Sequence, residues 1–286
     1  MSRVWTAALA LAGAALAMAS AARSEVAAEL ASPWVDLNSA RARLLAGPSP
    51  AAPGKSYLVG VEIALADGWK TYWRNPGDAG VPPAFEWAAS TNVAAVDVRY
   101  PAPARMHEPG AEVLGYKGAV IFPLEVVPKD AGKPVGLDLV VSLGICRDIC
   151  IPAEAKLSLT LPPTLLQGKP LPALVAALER VPRPAGKAGA NAPRIEQAKA
   201  VLDGERPHLV IEARFPPGSR GGDVFIEAPD SIYIPQPRRL SDGSGDTQRF
   251  EVDLSRGDNA RELKGKTLTL TLVSDAGATE ITWTVP

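Results

Sequence analysis

Tyr57-Leu58-Val59-Gly60-Val61-Glu62-Ile63-Ala64-Leu65, followed by Ala66-Asp67-Gly68 and then Trp69-Lys70-Thr71-Tyr72-Trp73, is the stretch whose reading decides the fold. Its first nine residues are rich in β-branched and aromatic side chains, which suit a pleated, half-buried surface. Asp67-Gly68 supplies a turn, and Trp69–Trp73 is expected to return as the hairpin partner. Outward from this stretch, further strands are predicted at Ala84–Trp87, Val93–Tyr100, Ala119–Val127, Leu137–Leu143 and Ala155–Leu161. Asn75-Pro76-Gly77-Asp78 and Pro82-Pro83 interrupt them, because each proline removes a backbone donor and restricts the residue before it. Short strands with turns at roughly 8–12-residue intervals are the pattern of a β-sandwich.

From Gln167 the composition changes to Pro, Ala and Gly around one helical phrase, with Leu171, Leu174, Val175 and Leu178 at i, i+3, i+4 and i+7. Val181–Pro193 then reads as a linker. Strand signals resume at Ala198–Leu202, His208–Arg214, Val224–Ala228, Gln248–Leu254, Leu268–Val273 and Glu280–Val285. The expectation is an all-β chain of two immunoglobulin-like sandwiches. The first spans residues 30–166 and the second 194–286, joined by a helix and linker at 167–193.

Met1-Ser2-Arg3, an Ala/Leu-rich run to Met18 and the small-x-small phrase Ala19-Ser20-Ala21 read as a signal peptide over residues 1–21. Later apolar runs are broken by Pro, Gly or charge well before the roughly 20 residues a membrane span requires. A periplasmic location is therefore expected. Lys+Arg 30 against Asp+Glu 31, with no basic run, argues against nucleic acid as a partner. Only His107 and His208 are present, in different predicted domains, so a multi-His metal site within this chain is not expected. Neither a G-x-S-x-G phrase nor a Gly-rich phosphate loop occurs. Arg74 and Asp78 read as surface charges, and the stretch from Arg238-Arg239 to Asp246 as a solvated loop.

The chemistry concentrates in Leu143-Gly144-Ile145-Cys146-Arg147-Asp148-Ile149-Cys150-Ile151-Pro152, which holds both cysteines of the chain. On a straight strand their Cα atoms would lie roughly 13 Å apart, at about 3.3 Å per residue, well beyond the roughly 4.4–6.8 Å of a disulfide. The backbone must therefore turn between them for a bridge to form. So small a ring removes little unfolded-chain entropy, which weakens stapling as its purpose. Three readings stand: a thiol-disulfide exchange pair, a local structural disulfide in a binding module, and a Cu(I) clasp with Met106 or His107 as third ligand. Asp148 between the cysteines would lower the thiolate fraction if it lay near a sulfur, and Arg147 would raise it.

The ordered phrases Asp67-Gly68-Trp69-Lys70-Thr71-Tyr72-Trp73, Tyr100-Pro101, His107-Glu108, Gly115-Tyr116-Lys117-Gly118, Phe122-Pro123-Leu124 and Gly144-Ile145-Cys146…Cys150-Ile151-Pro152 resemble the N-terminal periplasmic domain of the DsbD/ScsB thiol-disulfide interchange proteins. The resemblance covers about Tyr57 to Leu161, and the second half resembles the longer N-terminal regions of the ScsB branch. It implies an immunoglobulin-like sandwich whose redox pair, Cys146 and Cys150, sits at one end under a mobile cap. By position the cap falls in His107–Gly118 with Leu114 or Tyr116 as the covering side chain, and Tyr72 and Trp73 lie beneath or beside the sulfurs. The implied activity is that of a protein-disulfide reductase without a cofactor. Electrons would come from a thioredoxin-like domain or a separate membrane thiol reductase and pass to oxidised periplasmic proteins.

N-terminal sequencing of the exported chain is expected to begin near Ala22, in protein recovered from the periplasm without detergent. A product that still begins at Met1 contradicts the signal-peptide reading.

Overall fold

The computed structural model describes residues 31–240 and 245–286. The segment read as a signal peptide lies outside them, as do residue 30 and residues 241–244. In chain order the strands before the helix are β1 (Val35–Asp36), β2 (Ala40–Pro48), β3 (Tyr57–Leu65), β4 (Lys70–Gly77), β5 (Ala84–Glu86), β6 (Val93–Val98), β7 (Ala104–Glu108), β8 (Ala111–Lys117), β9 (Ala119–Pro128), β10 (Val135–Cys146) and β11 (Cys150–Leu161). Helix α1 spans Pro172–Glu179. After it come β12 (Arg183–Pro184), β13 (Arg194–Val201), β14 (His208–Arg214), β15 (Asp223–Glu227), β16 (Arg238–Arg239), β17 (Thr247–Asp253), β18 (Thr267–Ser274) and β19 (Gly277–Thr284).

These strands build two sandwiches. The first packs a sheet of order β1-β2-β3-β9-β6 against one of order β11-β10-β4-β8-β7, with β5 on β10. Its core joins Leu44, Val59, Val61, Ile63, Phe122 and Val126 of one sheet to Trp73, Leu114, Tyr116, Val141, Leu143 and Leu157 of the other. Tyr116 and Phe122 meet edge to face at 5.4 Å. The second sandwich pairs the orders β12-β19-β18-β15 and β13-β14-β17-β16. Residue by residue, β14 alternates between buried and half-buried, the mark of a strand with one face on a core.

The expected hairpin across Asp67-Gly68 does not form. Both edges of β3 are taken, by β2 from Pro48↔Tyr57 to Ala40↔Leu65 and by β9 from Tyr57↔Val126 to Ala64↔Ala119. A strand has only two hydrogen-bonding edges. The chain therefore turns at Ala66, where the Trp69 amide donates to the Ala66 carbonyl at 3.0 Å, and crosses to the opposite sheet. There β4 pairs with β8, and at Cys146↔Lys70 with β10.

Helix α1 begins with Pro172 at its first position, where the missing N–H costs nothing. It lays Leu174 on the outer face of the first sandwich, in a cluster with Leu45 and Leu58. Gly60 makes the seat: a Cβ there would stand 2.4 Å from Leu174 Cδ2 and 2.6 Å from Ile121 Cγ2. This explains a glycine in the middle of an otherwise strong strand.

Within the segment read as a linker, Arg183–Pro184 pairs in parallel with β19. Arg74 and Asp78, read as surface charges, are instead bonds between the two sandwiches. The Arg74 guanidinium grips Glu227 at 2.7 and 3.0 Å and also pairs with Glu280, while Asp78 accepts the Tyr233 hydroxyl at 2.8 Å. Arg238–Arg239 pairs with β17 rather than forming a loop.

Replacing Gly60 by Val is expected to cost about 1–3 kcal/mol through overpacking. Urea unfolding should show a loss smaller than the sum of the single effects when Leu174→Ala is combined with it, because the shortened side chain vacates the clash. Strict additivity would mean that Gly60 does not seat the helix.

Candidate functional site

Strands β10 and β11 pair in an unbroken antiparallel register from Val135↔Leu161 to Cys146↔Cys150. Arg147-Asp148-Ile149 closes the hairpin, with the Arg147 amide donating to the Ile149 carbonyl at 3.1 Å. The two cysteines are thus the last cross-strand pair, with Cα atoms 4.1 Å apart, and they form a disulfide. The required turn is a hairpin loop, and the strand resumes at Cys150 itself.

The two sulfurs sit in different surroundings. Cys146 is 1% exposed and packs with Tyr72, Met106 and Val113, whereas Cys150 is exposed. Ile149 beside it is 67% exposed, and Val81, whose Cβ lies near Gly144, is 57% exposed. A buried cysteine is thus bonded to an exposed one on an apolar rim.

Tyr72 places its hydroxyl 3.4 Å from Cys150 Sγ. A disulfide sulfur carries no proton, so the phenol donates. Burial, with the Glu108 carboxylate second, pushes the Tyr72 phenol above its ordinary value and keeps it a donor through neutral pH. Its ring is slotted between two glycines. A Cβ on Gly80 would fall 2.3 Å from Tyr72 Cε1, and one on Gly144 would lie 3.4 Å from Cε2. Gly80 also has φ +130°, a conformation that L side chains rarely adopt.

Beside this slot lies a buried cation that sequence reasoning passed over. Lys70 is the strand partner of Cys146; its ammonium pairs with Glu108 and reaches the Arg147 carbonyl at 3.4 Å. The signal was a charged pair within phrases already singled out, Lys70 between Trp69 and Thr71 and Glu108 beside His107. Glu108 stands at the tip of the β7–β8 hairpin, opposite Ala111 across Pro109-Gly110. Its bond to Lys70 shows that this hairpin folds back toward the disulfide.

The expected covering residues are redistributed by strand alternation. Met106 and Val113, cross-strand partners in the hairpin, face the Cys146 and Tyr72 side. Leu114 and Tyr116 point to the other face of β8, into the sandwich core, where the Tyr116 hydroxyl donates to the Pro101 carbonyl at 2.7 Å. Trp73, next to Tyr72 on β4, likewise faces inward and meets Phe225 of the second sandwich at 6.0 Å. The His107 side chain is 76% exposed, its Nδ1 3.2 Å from Glu112. Arg147 and Asp148 pair with each other at 2.9 Å, both exposed. Among the described residues no group of three or more His, Cys, Asp or Glu is placed to hold a metal, and no helix is long and apolar enough to cross a membrane.

Residues 180–286 match a domain of unknown function, DUF8393. The chain is similar to the crystal structure of the N-terminal periplasmic domain of ScsB from Proteus mirabilis, with a TM-score of 0.67 and 24% identity over 90% of this chain and 99% of that one. That likeness speaks for the all-β, immunoglobulin-like fold. No curated protein sequence matches the chain at a significant level. Residues 41–162 match the family described as the N-terminal domain of the thiol:disulfide interchange protein DsbD, so the sandwich that carries Cys146 and Cys150 is a thiol-disulfide interchange domain of that family.

Proposed function

We propose that the chain is an exported electron carrier that takes two electrons from a thioredoxin-like domain or membrane thiol reductase and passes them to oxidised periplasmic proteins. The observation that carries this reading is the pairing of an accessible Cys150, hydrogen-bonded by Tyr72, with a buried Cys146. In the reduced protein the Cys150 thiol loses its proton and its thiolate attacks a disulfide of the target. One target sulfur leaves as a thiolate and takes up a proton, and a mixed disulfide joins Cys150 to the other. Cys146 then loses its proton and attacks Cys150 Sγ, releasing the second target thiol and restoring the Cys146–Cys150 bond. Two electrons have moved to the target. A dithiol donor reverses the sequence, and no cofactor enters either direction.

Tyr72 contributes by donating to the sulfur on which negative charge develops. A hydrogen bond to a charged group contributes about 1.5–3 kcal/mol, twice or more that of a neutral bond. The export signal read at residues 1–21 supplies the oxidising compartment in which such a pair has substrates. The copper reading keeps one observation in its favour, the packing of Met106 against Cys146.

Cys146→Ser is expected to accumulate a mixed disulfide with a thioredoxin-like partner, because Cys150 remains accessible and its resolving thiol is gone. Cys150→Ser should trap none; trapping by Cys150→Ser alone would reverse the assignment. The Cys146–Cys150 couple should titrate between about -120 and -270 mV, the range of redox carriers, whereas a value below about -300 mV marks a structural bridge. Tight stoichiometric Cu(I) binding by the reduced protein, lost in Met106→Leu, with no exchange activity, would replace the carrier reading by the copper one.

Tyr72→Phe is expected to slow exchange about tenfold at pH 7, the lower end of what losing a hydrogen bond to a charged sulfur costs. The sign follows from the donor: without it the thiolate is less favoured, so the pH profile moves to higher pH and the gap to wild type narrows as pH rises. An unshifted profile would remove Tyr72 from the chemistry.

A further inference from the structure

Strand β15 of the second sandwich lies along the strands that shelter the disulfide, and each of its five residues bonds or stacks there. Asp223 takes a two-pronged bond from Arg105, with Nε to Oδ2 and Nη2 to Oδ1 both at 2.9 Å. The Val224 carbonyl accepts from the same guanidinium at 3.1 Å. Phe225 packs on Trp73, the Ile226 carbonyl accepts from Asn75 Nδ2 at 3.1 Å, and Glu227 holds Arg74.

The anchoring points are sequence neighbours of the covering side chains. Arg105 precedes Met106, Glu112 precedes Val113, and Arg74 follows Tyr72 by two residues on β4. Arg105 also binds Glu112 across the hairpin, so one guanidinium ties both strands β7 and β8 to Asp223. The Glu112 backbone is fixed a second time: its amide donates to Asp78 Oδ2 and its carbonyl accepts from the Asp78 amide, both at 2.9 Å. Asp78 Oδ1 in turn receives the Tyr233 hydroxyl. Burial and the Asp78 carboxylate push the Tyr233 phenol up to about 12, so this link persists across neutral pH. Arg105 is shielded, at 12% side-chain exposure, which limits the screening that weakens surface pairs.

We propose that the second sandwich is a positioning element for the redox site: by clamping Arg105 and Asp78, which both bind Glu112, it holds the β7–β8 hairpin down over Cys146, and so sets how readily thiols reach the disulfide. The inference rests on the exchange reading of the Cys146–Cys150 pair and deepens it. It gives the second sandwich a task without placing any of its residues at the sulfurs. Arg105 and Asp223 are positioning residues, since neither touches a sulfur.

The test follows reduction of the oxidised full-length chain by dithiothreitol, a small thiol that reads access to the sulfurs directly. Arg105→Asp and Asp223→Arg are each expected to speed reduction about tenfold, a mid-range value for the interaction energy of contacting charges. Amide exchange should quicken in residues 104–117 and stay slow in β10 and β11. The charge-swapped double variant, Arg105→Asp with Asp223→Arg, should return to within about threefold of wild type, because the pair between the two sandwiches is remade in reverse. Tyr233→Phe, which removes one hydroxyl from an exposed side chain, should speed reduction by about twofold and decides the matter if a charge variant fails to fold. Wild-type rates in the single variants and in Tyr233→Phe, or acceleration that the swap leaves uncorrected, would overturn the inference. Dithiothreitol reports shielding whether or not a thioredoxin exchanges with the protein, so failure of the exchange reading is a separate result.

Discussion

The pairing of β10 with β11 governs both the core and the chemistry. Side chains alternate along a strand, so a slip of one residue would turn every inward side chain of the slipped strand outward and would place Cys146 opposite a residue other than Cys150. The register is fixed from the core, by Leu139, Val141, Leu143 and Leu157 packing between the sheets. The disulfide therefore inherits its geometry from apolar packing some distance away. The loop between the cysteines can be short because it has only to close the hairpin.

A second consequence concerns β4, which changes partners along its length. At Lys70 it touches β10, from Lys70 to Tyr72 it pairs with β8, and then its pairing is broken until Gly77 meets Val113. The residues in that gap, Trp73 to Pro76, are released from the ladder. Their side chains reach the second sandwich, Trp73 through Phe225, Arg74 through Glu227 and Glu280, and Asn75 through Ile226. The irregularity is what allows one strand to serve the disulfide with Tyr72 and the neighbouring sandwich with the residues that follow.

The six longer strands of the second sandwich were legible in the sequence to within a few residues, with the alternation of His208–Arg214 the clearest example, whereas the two-residue strands β12 and β16 were read as linker and loop. The cysteine pair was legible as a candidate site from spacing alone. Ala40–Pro48 escaped notice because Ala, Arg and Gly are weak strand formers, and only its place between β1 and β3 makes it a strand. The pairing across Asp67-Gly68 was misread because a turn signal shows that the chain reverses and is silent on which sheet receives it. The family resemblance pointed to the hairpin that folds back toward the disulfide but to side chains on its other face. Leu114 and Tyr116 are the larger side chains, yet the alternation of β8 sends them into the core and leaves Val113 toward Cys146. Arg74 and Asp78 looked like ordinary surface charges because their partners lie about 150 residues away in the chain.

Strand β11 is the outermost strand of its sheet, and it begins at the exposed Cys150. An open row of backbone donors and acceptors twelve residues long invites pairing with other chains. Here Pro152 withholds a donor near one end, and the exposed side chains of Glu154 and Lys156 place charge along the strand. The outward face continues with Ser158 and Thr160. The same stretch that leaves Cys150 exposed is thereby guarded against the cross-chain sheet growth that leads to aggregation.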